Sequence, residues 1–441
     1  MGLLRNIGYL ATCRAGGGQD RIHPVRDAAL AWEGDTIRWV GPAADLPGEL
    51  ADAPAADAAG CLVVPGLVDA HTHLAFGGWR ADEFERRIRG ESYEEIAASG
   101  GGIAATVRAT RAASSEELED RCRRFLGAMA GLGVTTVEAK SGYGLSGEEE
   151  LRILEVYRRL GEDSAAPAVV PTFLGAHAVP PGWGGSRKEL VDRIAGSWVP
   201  AVAERGLARF CDVFVEEGAF GRQEARTVLE AGAAHGLRPK LHADQLSEGG
   251  GAELAAELGA ASADHLEHVS AAGARAMAEA GVVGVILPLA GLYLDQAPAP
   301  ARTLVDAGVA VAVATDFNPG TAPSYHLPLA MTLACLRGGL TPAEALKGAT
   351  VVAARAVGEE DRVGSLEEGK AADFAVLDAP DPTQWLYHHR PSACVATVIA
   401  GAVAWADPAA GVFGGGDGRP APGRRAGAPE AEPTTERRDA P

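Results

Sequence analysis

Between about residues 65 and 369, short β-branched runs alternate with longer stretches rich in Ala, Leu, Glu and Arg. No other feature constrains the fold as much, because strands separated by helical segments assemble as parallel βα units. Eight strand candidates follow in chain order, at 66–74, 133–140, 169–177, 208–216, 239–244, 262–267, 282–287 and 309–316. Eight such units predict an α/β fold, a (β/α)8 TIM-type barrel over residues 65–369. Strand-like pieces at 36–40, 374–377 and 395–399 lie outside it, between turn residues. They predict a small composite β-sandwich domain formed from both chain ends, residues 1–64 plus 370–410. Residues 411–441 are mostly Gly, Pro, Ala and charge, and are expected to form a disordered tail.

Composition narrows the function. The chain of 441 residues carries a formal net charge of −19, which argues against nucleic acid or an anionic membrane surface as a partner. No apolar run approaches the roughly 18 residues of a membrane span, and the start, Met1-Gly2-Leu3-Leu4-Arg5, does not read as a signal peptide. A cytoplasmic location is expected. Six cysteines without a C-x-x-C pair are expected to be reduced, mostly buried thiols. A small-molecule substrate fits best, and an anionic one would need a local arginine.

In such a barrel the C-terminal strand ends face the active site. Nearly every candidate strand ends in polar residues: His71 and His73; Glu138 and Lys140, with Tyr143 beyond; His177; Glu216 and Glu217; His242 and Asp244; Asp264, His265 and Glu267; Asp316 and Asn318. His71 and His73, two apart on a strand, send both imidazoles to one face. Alone, that pair is more often solvated or structural than metal-binding. With Asp69 before it and His242 and Asp316 on later strands, it becomes a set of three nitrogens and one carboxylate suited to catalytic Zn²⁺ or Fe²⁺.

The run VVPGLVDAHTHLAFGGWRADEFERRIRGESYEEIAASGGGI resembles the imidazolonepropionase family of the metal-dependent amidohydrolase superfamily, as do TTVEAKSGYGLSGEEEL, TFLGAHAVPP, LHADQLSEGGGAELAAELGAASADHLEH and ATDFNPGTAPS. The likeness covers roughly residues 60 to 370. It implies a (β/α)8 barrel with a composite sandwich, one Zn²⁺ or Fe²⁺/Fe³⁺ per subunit, and hydrolysis of the ring amide of 4-imidazolone-5-propanoate to N-formimidoyl-L-glutamate in histidine degradation. A homodimer is compatible with it. By the same resemblance His71, His73, His242 and Asp316 match metal ligands, and Arg80 matches the arginine that holds the propanoate. Tyr143 and His177 match residues contacting ring and product, and Asn318, Gly320 and Thr321 match the product loop.

Gln245 stands where some family members carry a glutamate. A glutamine can orient substrate or water but cannot take a proton, so acid-base work falls to Asp316, His265 or a neighbour, with His177 or His265 facing the developing oxyanion. Glycines on both sides of Tyr143 predict a mobile, exposed position. Ser99-Gly100-Gly101-Gly102 reads as part of a lid or as an ordinary flexible loop. Lys140 reads as a salt-bridge partner of Glu138, Glu216 or Asp264; a carbamylated lysine bridging two metals is the alternative. Two rival functions stay open: a guanine-type aminohydrolase sharing the ligands, and a catalytically inactive barrel scaffold.

Overall fold

The computed structural model describes residues 1–92, 95–96, 99–216 and 218–413. The N-terminal strands are β1 (Gly2–Ala11), β2 (Pro24–Glu33), β3 (Thr36–Pro42), β4 (Ala55–Asp57) and β5 (Leu62–Pro65). Eight further strands follow: β6 (Leu67–Asp69), β7 (Val134–Lys140), β8 (Ala168–Ala176), β9 (Phe210–Val215), β10 (Arg238–Ala243), β11 (Ser262–His265), β12 (Val283–Ile286) and β13 (Val311–Val313). The chain ends with β14 (Phe374–Leu377), β15 (Cys394–Ile399) and β16 (Ala402–Ala406).

Strands β6 to β13 form one parallel sheet in sequence order, each paired with its chain neighbour through a helical crossover. The sheet closes beyond the ends of its first and last strands, where Thr72 bridges Phe317 in parallel. All eight predicted strands are present. Several are shorter than their sequence patterns, because the polar residues at their ends leave the ladder to build the site. Caps begin the helices between and after them: Ser114 with Glu117, Ser186 with Glu189 and Thr341 with Glu344 form reciprocal capping boxes. Among the described residues no helix is long and apolar enough to cross a membrane.

The remaining strands form a second sheet in the order β16-β15-β14-β5-β1-β2-β3, with β4 on β1. Strands from both chain ends therefore share it, as the sequence predicts. The two layers of the expected sandwich are halves of one continuous sheet folded over its own core. Leu4, Ile7, Leu30, Trp32, Val63, Phe374, Val376 and Val398 fill the fold, and the Trp32 indole donates to the Gly401 carbonyl at 2.9 Å. Val412 packs on the same core; the rest of the predicted tail, 414–441, lies outside the described residues.

Gly66 is where the chain leaves one sheet for the other. A Cβ there would lie 2.1 Å from Thr135 Oγ1 on the neighbouring strand, so only glycine lets β5 run directly into β6. The six cysteines form no disulfide, and all but Cys335 are buried.

Candidate active site

The regular part of β6 stops at Asp69, two residues short of His71. The extended path continues because the His73 N–H donates to the Phe317 carbonyl at 2.8 Å and the Asp316 N–H to the His71 carbonyl at 3.0 Å. Asp69 staples the same seam, accepting from the Thr315 N–H at 3.0 Å and its hydroxyl at 2.6 Å. The barrel's closing seam thus sets His71, His73 and Asp316 side by side, and the two-residue alternation that directs both imidazoles inward survives beyond the strand. Four non-glycine residues with positive φ lie at the same rim: Asp244 (53°), His265 (81°), Leu266 (71°) and Asp316 (56°). Backbone strain of this kind persists where surrounding contacts over-determine it, and it clusters at functional sites.

One nitrogen from each of His71, His73 and His242 lies within 4.8 Å of the other two, and His71, His265 and Asp316 form an overlapping group of the same size. Asp316 Oδ1 is 3.5 Å from His71 Nε2 and 3.6 Å from His73 Nε2, and His73 Nε2 is 3.5 Å from His242 Nε2. Buried His71 Nε2 has no hydrogen-bond partner. Burial, followed by the charge of Lys140 or a neighbouring histidine, pulls all three imidazoles well below the usual histidine value and leaves them neutral. Burial pushes the Asp316 carboxyl up to about 7 while His265 pulls it down. Converging neutral imidazoles, an unpartnered buried nitrogen and an adjacent carboxylate fit a divalent cation with an open coordination position.

Each of two histidines is held from behind by a carboxylate. His71 Nδ1 is 2.7 Å from Asp264 Oδ2, and His242 Nδ1 is 3.1 Å from Asp212 Oδ1. Lys140 sits beneath them, with Nζ 2.8 Å from Glu138, 2.7 Å from Asp212 and 3.3 Å from Asp264. Lys240 lies 3.3 Å from Glu138. Burial opposes the charge on Lys140, but Asp212, Glu138 and Asp264 outweigh it and raise the ammonium's pKa, which disfavours the free amine that carbamylation requires. Of the predicted partners, Glu138 and Asp264 are in place. Glu216 is not: it turns to the loop after β10, accepting from the Leu246 N–H at 2.8 Å. Asp212 stands in its place because it lies within β9, at the level of Lys240 on the next strand, whereas Glu216 lies four residues further on, past the strand's end at Val215. Asp244 likewise faces away, accepting from the N–H groups of Gly249, Gly251 and Ala252 at the start of the next helix. Glu217 lies outside the described residues.

Above the cluster, His177 stacks on His73 with ring centroids 5.0 Å apart, and its Nδ1 lies 3.0 Å from the Gly142 carbonyl. Burial lowers its pKa to about 4. His265 behaves differently: burial opposes its charged form, but Glu267 at 3.7 Å and Asp316 hold its pKa above the ordinary value. Tyr143, 5.5 Å from both His73 and His177 between ring centroids, is only 4% exposed. This corrects the expectation of a mobile, exposed tyrosine. The buried Glu150 carboxylate accepts from the N–H groups of Gly142, Gly144 and Leu145 at 2.6 to 2.8 Å, so the flanking glycines form a cradle rather than a hinge. Gln245 is buried at the mouth, three residues beyond His242.

Arg80 is 7% exposed, with Nε and Nη1 buried and lacking hydrogen-bond partners. Its nearest counter-charge is Glu83, 3.5 Å from Nε, and its own charge helps lower the pKa of His177. A Cβ on Gly320 would lie 1.1 Å from Arg80 Nη2, so the guanidinium packs directly against that glycine. Asn318 shapes this loop, its Oδ1 accepting from the N–H groups of Gly320 at 2.9 Å and Thr321 at 2.8 Å. Glu83 also accepts from the Gly102 N–H at 2.7 Å, which fastens the glycine-rich segment to the arginine's own helix, Ala81–Ile88.

Residues 62–404 match the model of the amidohydrolase family. The chain is 50% identical to an imidazolonepropionase of Geobacillus kaustophilus over 83% of its own length and 87% of that protein's. It is 49% identical to one of Cupriavidus necator, covering 86% and 91%.

The chain belongs to the imidazolonepropionases, within the amidohydrolase family.

Solved structures carry the same fold at lower identity. A 5-methylcytosine deaminase of Klebsiella pneumoniae aligns with a TM-score of 0.70 at 19% identity over 92% of this chain and 98% of that one. An adenosine deaminase of Xanthomonas campestris with bound zinc aligns at 0.68 and 21% over 91% and 92%. Against this imidazolonepropionase background, sequence reasoning missed Asp212, Lys240 and Glu83. An Asp inside the apolar strand FCDVFV and a Lys two residues before His242 were the available signals for the first two; Glu83 had none beyond its place three residues after Arg80.

Proposed function

We propose that this chain opens the ring amide of 4-imidazolone-5-propanoate to give N-formimidoyl-L-glutamate. The observation that carries the reading is the pairing, in one barrel mouth, of a buried histidine-carboxylate cluster with a buried arginine whose Nε and Nη1 lack partners. The first is a site for hydrolytic chemistry and the second a site for a small anion. His71, His73, His242 and Asp316 would hold one Zn²⁺ or Fe²⁺/Fe³⁺ per subunit. Bound there, the ion supplies Lewis acidity, polarising the carbonyl and making a water molecule acidic near neutral pH.

The chain's own groups do the rest. Arg80 receives the propanoate, a charge-assisted contact that fixes the ring, while Tyr143, His177 and Gln245 bound the ring's position. Water adds to the ring carbonyl carbon, and Asp316 takes the proton it releases. The resulting oxyanion faces His265 or His177. The carbon-nitrogen bond then breaks, the proton on Asp316 passes to the leaving ring nitrogen, and the former carbonyl becomes a carboxylic acid, which ionises by releasing water's second proton to solvent. Asn318, Gly320 and Thr321 form the loop against which the product lies. Gln245 stays out of proton transfer.

Loss of the imidazolone ultraviolet absorbance, followed together with elemental analysis, tests the reading. About one metal per chain and turnover of the imidazolone support it. Turnover of guanine with the imidazolone untouched makes the protein an aminohydrolase. No stoichiometric metal, and no hydrolysis after metal is added back, makes it a scaffold.

A further inference from the structure

A buried ionic layer lies beneath the candidate metal cluster, and one lysine touches more of it than any other described group. Lys140 Nζ approaches Asp212 Oδ2 at 2.7 Å and Asp264 Oδ2 at 3.3 Å, with all three side chains fully buried. Those two carboxylates stand behind His242 and His71 on separate strands. The lysine's backbone is tied to the same place, because its N–H donates to the Thr72 carbonyl at 2.9 Å, and Thr72 separates His71 from His73. Its carbonyl in turn accepts from the Tyr157 hydroxyl at 2.9 Å. Lys240 does not duplicate this role: it lies 3.3 Å from Glu138 and 4.0 Å from Asp264, and among the described residues no ion pair joins it to Asp212.

We propose that Lys140 is a positioning residue for metal binding, tying Asp212 and Asp264 together so that each stays against Nδ1 of its histidine, His242 or His71, and the opposite Nε2 faces the metal cluster. The physical step is short. A carboxylate oxygen 2.7 Å from His71 Nδ1 and another 3.1 Å from His242 Nδ1 fix how each ring is turned, and the opposite Nε2 then faces the cluster, 3.5 Å from Asp316 Oδ1 for His71 and 3.5 Å from His73 Nε2 for His242. Lys140 Nζ lies within 3.3 Å of both carboxylates and so bridges the two supports directly. Removing such outer support costs metal affinity about 10- to 100-fold.

This rests on the metal-binding reading above, and the test separates the two. Zinc affinity of the full chain is measured by competition with a chromophoric chelator, and the visible spectrum of the Co²⁺-loaded protein reports ligand geometry. Lys140→Met is expected to lower zinc affinity about 10- to 100-fold and to alter the Co²⁺ spectrum. Asp264→Asn should also weaken zinc binding, and the double variant should lose far less than the sum of both, because both changes break one chain of contacts. Wild-type affinity in Lys140→Met, or fully additive losses, overturns the proposal. If Lys140→Met does not fold, Lys140→Gln, which can still donate to one aspartate, carries the same expectation and the same refutation. Two zinc ions per chain with bicarbonate-dependent binding would mark a carbamylated lysine and also overturn it. A wild-type protein that binds no metal overturns the proposed function itself, and this proposal with it.

Discussion

His71 and Arg80 are nine residues apart in the chain, yet the two halves of the barrel mouth that they anchor are built in opposite ways. The histidine half sits on the closing seam and strand ends, and His71 and His242 each have a buried carboxylate behind them. Its groups are fixed before any ligand arrives, as a site for metal chemistry requires. The arginine half stands on a short helix and two loops. Arg80 leaves buried N–H groups unpartnered and leans on a glutamate at 3.5 Å, and its surface is shaped by glycine. A buried guanidinium with spare donors is costly unless an anion completes it. One half is held in place by its own carboxylates, and the other is completed by the substrate.

The largest way to break this comparison is at Asp316, which the proposed function uses both as a ligand and as the proton carrier. Asp316→Asn removes the proton acceptor and should lower kcat by about 10²- to 10⁴-fold, with metal content reduced. Binding of a propanoate-bearing product analogue, measured by calorimetry, should persist, since Arg80 is untouched. Loss of that binding as well would show that the two halves are one unit.

How much of this was legible in the sequence follows the same division. The barrel could be read because parallel strands buried on both faces leave near-continuous apolar runs, as in Val283–Ile286 and Val311–Val313, where every residue is buried. His71, His73, His242 and Asp316 could be read because strand periodicity fixes which way they point, and the structure brings them together. The support beneath them could not be read as well. Whether Asp212 or Glu216 meets Lys140 depends on where β9 ends, since both point to one face, and on a register between strands that pairs Asp212 with Lys240. The tyrosine loop was misread because Gly142 and Gly144 look like hinge residues until Glu150, on the following helix, claims their N–H groups. Local composition signals freedom, and a long-range acceptor removes it.

The arginine half breaks in two graded steps. Arg80→Ala removes a charge-assisted contact whose loss costs about 2–5 kcal/mol, which is roughly 30- to 3,000-fold in affinity at 1.4 kcal/mol per decade. It should appear mainly as a raised KM, with metal content unchanged. Gly320→Ala does less. Its methyl would fall 1.1 Å from Nη2 in the present position, so the guanidinium must shift off the loop; KM should rise about tenfold, the cost of roughly one misplaced hydrogen bond to a charge. Steady-state kinetics with metal analysis checks both. A fall in metal content in either variant would argue against separate halves.

The smallest expected effect lies where the halves meet, at Glu150. Its carboxylate holds the loop that carries Tyr143 and, through the Gly142 carbonyl, His177. Burial raises its pKa despite the Ser141 hydroxyl and the three N–H donors, which pull the other way. A carboxyl whose folded pKa lies above its unfolded value binds its proton more tightly when folded. Its contribution is therefore full at low pH and is lost as pH rises from the ordinary glutamate value through the raised one. Glu150→Gln keeps one acceptor oxygen, enough for the Gly144 and Leu145 N–H groups that now share Oε1, and gives up the Gly142 contact on Oε2. Kinetic constants should move by no more than a few fold, since about one hydrogen bond is lost. Thermal melts across that pH window should show the variant losing less stability than the wild type as pH rises. Parallel profiles would mean that Glu150 does not titrate there, and that the tyrosine loop is set by its geometry alone.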